Sequence, residues 1–173
     1  IGLGHLGAHG LNWQTQQVST FAANAPLRAL ILTGMGLGVV GLAVLPSQLE
    51  ACVPHSRLRG WLAACFPAAA GGLALVAIFK ERVVGRAALS RSGVESYWQG
   101  YHDSGLMVFV LASVTGIFGM GLYKLARGPD RTARLTGLLG LYAAMGAIGS
   151  VALLRLGIGP VGIVQRLLLL HVW

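Results

Sequence analysis

The side chains best equipped for chemistry in this chain are two adjacent pairs, His102-Asp103 and Gln165-Arg166. A histidine beside a carboxylate can relay a proton or orient a ligand. The competing reading is that Asp103 or Ser104 caps the helix that begins there, with Asp103 also paired to Arg166, and this reading is favoured. Gln165-Arg166 lies several residues inside the last apolar run. A cation there is costly unless it snorkels or finds a partner, and Asp103 matches it in type and depth. Residues 12–20 are densely polar but uncharged and include Gln16 and Ser19. All three stretches are expected near one membrane face, so Gln16, Ser19, His102, Asp103, Gln165 and Arg166 form the candidate ligand-binding cluster.

Other chemistries have weaker support. Haem between membrane helices needs facing axial ligands, often a histidine pair. His5 and His9 stand one helical turn apart and His171 lies within the last apolar run, whereas His55 falls in a loop and His102 at a helix end. Without two matched histidines in mid-helix, no cofactor is expected, and haem or a chlorin-type pigment is the lesser alternative. Cys52 and Cys65 make no metal motif and read as small buried side chains rather than a disulfide. No nucleophile–base pair and no HExxH-like motif occurs, so no catalytic or metal residue is assigned and the chain is read as a non-enzyme.

The elements that position these residues are set by where charge is absent. Every charged residue lies outside four windows, 29–49, 60–79, 104–123 and 135–154. Each is about 20 residues, the length of helix that crosses a hydrocarbon core. The chain of 173 residues is 55% hydrophobic and 10% charged, against about 25% charged in soluble domains. The expected fold is therefore all-α, a polytopic transmembrane helical bundle in one domain. Its spans are placed at about 27–45, 60–79, 104–123 and 135–154, with a partial span at 162–173. Pro46 is expected to end the first of these and Pro67 to kink the second. The 26 glycines suit close helix approach. Gly34 and Gly38, with Gly41, form a GxxxG-type stripe that reads first as packing inside the bundle and second as a dimer face. The aromatic cluster Tyr97, Trp98 and Tyr101 suits an interfacial belt.

The net charge of +8 reflects basic loops beside apolar spans, which argues for topology and lipid headgroups rather than nucleic acid. Loop 124–134 carries four cations in eleven residues. The positive-inside rule then puts that loop in the cytoplasm and loop 80–103 outside, in a cell (inner) membrane. Both ends read as cut: the chain starts with Ile1 and stops at Trp173 inside an apolar run. Part of a first helix and most of a last helix are expected beyond it, giving about six spans in all.

Several pieces in order resemble a bacterial and archaeal membrane family catalogued as domain of unknown function 998. They are the polar stretch Gln16-Gln17-Val18-Ser19-Thr20-Phe21-Ala22, the pair His102-Asp103 opening a middle span, the basic turn at 124–134, and Gly162-Ile163-Val164-Gln165-Arg166-Leu167-Leu168. Two positions depart from that family's pattern. Phe79-Lys80-Glu81 stands where Phe-Pro and an acid are usual, and Ser19-Thr20 where Ser-Glu is usual. The resemblance implies the multi-span fold and supplies no activity.

The functional expectation is a non-catalytic integral membrane protein, an accessory or structural subunit packed against a larger complex of integral membrane proteins and in contact with membrane lipids. The alternative is a lipid or small-molecule binding or transport protein whose outward-facing polar site is the cluster above. The four windows hold no intramembrane acid or base of the kind transporters use, which favours the first.

Overall fold

The computed structural model describes residues 25–53, 56–79, 93–127 and 130–172. Five helices account for almost all of them: α1 Ala25–Cys52, α2 Arg57–Ile78, α3 Gly93–Arg127, α4 Arg131–Leu156 and α5 Val161–Val172. The fold is an all-α bundle with no strand among the described residues. Four helices are long and apolar enough to cross a membrane, over Arg28–Leu49, Arg57–Ile78, Gly100–Arg127 and Arg131–Leu156.

The helix ends follow from local chemistry. Ser56 caps α2, its hydroxyl accepting from the Arg59 amide at 3.3 Å. Asp130 caps α4, its carboxylate accepting from the Ala133 amide at 2.7 Å. Both satisfy amides that the first helical turn leaves open. Gly157 closes α4 in the left-handed region (φ +67°), and the Ile158 amide returns to the Leu153 carbonyl at 3.0 Å. That is a Schellman-type stop, and a side chain at 157 would be strained there. The turn through Gly159 (φ +84°) and Pro160 then starts α5.

Two boundaries differ from the sequence expectation. Pro46 does not end α1, which continues to Cys52 with Pro46 inside it. Proline removes one amide from the ladder, but membrane helices tolerate it where side chains and neighbours re-satisfy the backbone. The carbonyl that Pro46 leaves without its amide is that of Leu42. Close by, the Ser47 hydroxyl donates to the Val44 carbonyl at 2.7 Å. α3 begins at Gly93, so Asp103 and Ser104 lie well inside it and cap nothing. Residues 94–99 contain neither proline nor glycine, and a formed helix propagates through such a stretch at little cost. Pro67 lies within an unbroken α2.

Successive helices pack side by side: α1 on α2, α2 on α3, α3 on α4 and α4 on α5, with α5 also touching α3. Two apolar clusters form the interior. One joins Ala69 and Leu73 of α2, Phe109 and Val110 of α3, Ala147 of α4 and Leu168 of α5. The other joins Leu49 and Val53 to Leu62 and Phe66. In lipid, exchange of apolar side chains for lipid tails gives little driving force, so close packing must hold helices together. α3 supplies it on two sides. A Cβ on Gly72 would stand 2.6 Å from the Gly105 carbonyl oxygen, and one on Gly137 would stand 2.8 Å from that of Gly121. At these two crossings backbone meets backbone.

The adjacent pair Gly71 and Gly72 gives a test, because a Cβ on Gly71 meets nothing described within 4 Å. Gly72→Ala should destabilise the protein by about 1–3 kcal/mol through overpacking. Gly71→Ala should be neutral or stabilising by up to about 1 kcal/mol, the helix-propensity difference. Unfolding in detergent micelles measures both.

Candidate functional site

The described members of the candidate cluster occupy different settings. His102 is buried, and its Nδ1 lies 2.6 Å from the Phe79 carbonyl oxygen. A carbonyl can only accept, so Nδ1–H donates and Nε2 is left as the acceptor nitrogen. Phe79 is where α2 ends, so this bond fastens the exit of α2 to the side of α3. The Tyr101 ring lies against Phe79 at 4.9 Å between centroids, reinforcing the same junction. His102 thus looks toward α2.

Asp103, one residue on, is exposed. Gln165 and Arg166 are half-buried on α5. Asp103, Gln165 and Arg166 all have interaction partners. On α5 the packed face carries Val164, Leu168 and His171, while Arg166 lies about 200° around the helix from Leu168 at 100° per residue. α5 and α3 share the cluster at Leu168, Phe109 and Val110, which puts Arg166 deeper than Asp103 by about one turn. The two thus differ in depth by about one turn, and the Arg166 Nη2 is buried. Gln16 and Ser19 lie outside the described residues, as do His5, His9 and His55.

Three polar contacts were not legible in the sequence. The Arg155 guanidinium reaches the Met107 sulfur (Nη2 to Sδ 3.8 Å), linking the last turn of α4 to α3 one turn beyond Asp103. Ser150 and Ser113 are buried in the spans; Ser150 donates to the Gly146 carbonyl at 2.9 Å, while the Ser113 hydroxyl has no hydrogen-bond partner among the described residues. The third contact is His171, whose Nδ1 lies 2.7 Å from the Leu167 carbonyl oxygen. Its ring lies directly on Gly146, where a Cβ would collide with Cδ2 and Nε2. Tyr142 flanks it at 6.0 Å between ring centroids. Gly146 is at the middle of window 135–154, so this imidazole sits at mid-span. On His171 one nitrogen is bonded to Leu167 and the other faces the α4 backbone. The pairing is long-range, and only the unusual combination of a mid-run histidine and glycine-rich neighbours could have hinted at it.

Cys65 is a free, buried thiol. No group of three or more His, Cys, Asp or Glu residues suited to a metal occurs among the described residues.

The four apolar helices, their glycine crossings and the exclusion of charge from the four windows define the class: an integral membrane protein of the all-α bundle type. Comparison with known proteins gives no matching family model, no matching curated protein and no matching solved structure.

Steric coupling between Gly146 and His171 is testable by a double-mutant cycle. Gly146→Ala alone should destabilise by about 1–3 kcal/mol. With His171→Ala also present the added cost should fall, leaving a coupling of about 0.5–3 kcal/mol. Additive losses in thermal unfolding would show that the two residues do not share space.

Proposed function

We propose that this protein is a non-catalytic structural subunit of a larger membrane complex, with α1 as its docking helix. The observation that carries the reading is the open glycine face of α1. A Cβ on Gly34 or Gly41, which share one stripe of the helix, meets no described atom within 4 Å, although each sits in an apolar span; Gly36 is equally open and lies about 200° around from Gly34. Gly38, by contrast, is buried, at the edge of the inward face that carries Met35, Val39 and Leu42. Leu37, Val40 and Val44 are exposed around the open glycines. Lipid has no need of glycine in a helix face, whereas a partner helix does, because small residues allow its backbone to come close. The partners are thus other integral membrane proteins, with lipid covering the remaining perimeter.

The polar-site alternative draws less support from the geometry. His102 is committed to Phe79, whereas Arg166 is half-buried on α5, its Nη2 is shielded from solvent, and it has partners of its own. Orientation follows from charge: the α2 start, α3 end and α4 start share one end of the bundle and carry Arg57, Arg59, Lys124, Arg127, Arg131 and Arg134. The proposed topology has this end in the cytoplasm of a cell with its inner membrane as the host bilayer, and residues 80–103 outside. Kinship with the family of domain of unknown function 998 rests on the four short motifs given above.

Mild-detergent extraction from the native membrane, with mass spectrometry of what co-migrates, tests the proposal. A stoichiometric set of larger membrane subunits is expected. Gly34→Leu with Gly41→Leu should reduce their recovery by about tenfold or more, equivalent to about 1.4 kcal/mol. A protein that extracts alone, or with lipid only, would contradict the reading.

A further inference from the structure

The end of the bundle opposite His102 carries a gathering of charge that the docking face does not use. Antiparallel packing gathers the first turn of α2, the last turn of α3 and the first turns of α4. Six cations meet there: Arg57, Arg59, Lys124, Arg127, Arg131 and Arg134. Among residues whose side chains are described, Asp130 is the one acid at this end. Its Oδ1 is taken by the Ala133 amide in the α4 cap. The charge of this end is therefore strongly positive, and the start of α4 adds the positive pole of its helix dipole.

Beside the cap lies an open surface hollow of about 380 Å³, whose described lining, Asp130, Arg131, Arg134, Leu135 and Leu138, belongs entirely to the cap and first turns of α4. Its polar side is formed by the cap and the two guanidiniums, both on exposed residues. Its apolar side is formed by Leu135 and Leu138, each 49% exposed. These leucines lie one and two turns further along α4, in the direction of the bilayer core. Charge at the rim and leucine toward the core is the shape of a bound amphiphile, with an anion above and an acyl chain below.

We infer that this hollow is a binding site for an anionic phospholipid, its phosphate held at Arg131 with Arg127 contributing field, and an acyl chain lying along Leu135 and Leu138. The occupant is chosen by charge complementarity and by position. Basic clusters at the membrane face of a helix bundle attract anionic headgroups, and a guanidinium suits phosphate oxygens through paired donors. The site is independent of the α1 docking face and lies at the opposite end from the His102 junction, so it stands or falls alone.

The test uses the whole protein in detergent micelles doped with phosphatidylglycerol or, separately, phosphatidylcholine. Lipid retention is read by native mass spectrometry and stabilisation by thermal unfolding. Phosphatidylglycerol should be retained and stabilising, and added salt should abolish the effect in the wild type. Arg131→Gln and Arg127→Gln should each weaken retention by about five-fold, the factor expected for one basic residue at a membrane surface. Arg155→Gln, at the other end, should leave retention unchanged. Equal retention of both lipids, or an equal loss in Arg155→Gln, would overturn the site. If inorganic phosphate alone reproduced the stabilisation, the hollow would bind a free anion and the lipid assignment would fail.

Discussion

The structure depends first on the absence of water around its spans. A backbone amide or carbonyl left open in hydrocarbon costs several kcal/mol, so each segment must satisfy its own backbone. Only helices do that one segment at a time, and the four apolar windows obey. What then remains undecided is how the helices hold one another, because a leucine gains little by leaving lipid for another leucine. The answer lies in α3. Gly105 meets Gly72 of α2 on one side, and Gly121 meets Gly137 of α4 on the other, with backbone atoms in contact. Close approach multiplies dispersion contacts along both seams. The polar features are secondary fasteners on this frame: His102 ties down the end of α2, and His171 seats α5 on Gly146.

The spans were legible because charge exclusion over about 20 residues is a signal carried by each segment alone. The cap at Asp103 was misplaced for the same reason in reverse. A carboxylate at the start of an apolar window looks like a helix start, but the window marks where hydrocarbon begins, and α3 was already formed from Gly93. Pro46 misled similarly, since its rule holds best where water competes for the backbone. Which glycines would be contacts and which would be open was not legible at all. Gly71 and Gly72 are chemically identical neighbours, and only the crossing with α3 separates them. Of the candidate cluster, His102 is buried against the end of α2, a contact that no local pattern carries. Whether Asp103 and Arg166 share a face depends on how α5 is rotated, which no local signal carries.

The two ends of the bundle differ in the kind of polarity they carry. One gathers six cations on three helix starts and ends, Arg59 and Arg134 with partners of their own, and a single described acid already used in a cap. The other has mixed polar groups, each engaged: His102 with Phe79, Arg155 with Met107, and Asp103, Gln165 and Arg166 with partners of their own. The first end suits an anionic surface; the second suits internal fastening. Between them, the face with the least internal packing is that of α1. Its three open glycines contrast with the outer face of α4, where one, Gly149, stands beside the large side chains of Leu139, Tyr142 and Met145. That contrast is the physical basis for assigning one face to protein and the other to acyl chains.

The measurement that bears most directly on this division is photo-crosslinking in native membranes, from a cysteine-linked diazirine at position 41 and, in a second variant, at position 145. The account predicts protein adducts of discrete mass from position 41 and lipid adducts from position 145. Lipid adducts alone from both positions would contradict it.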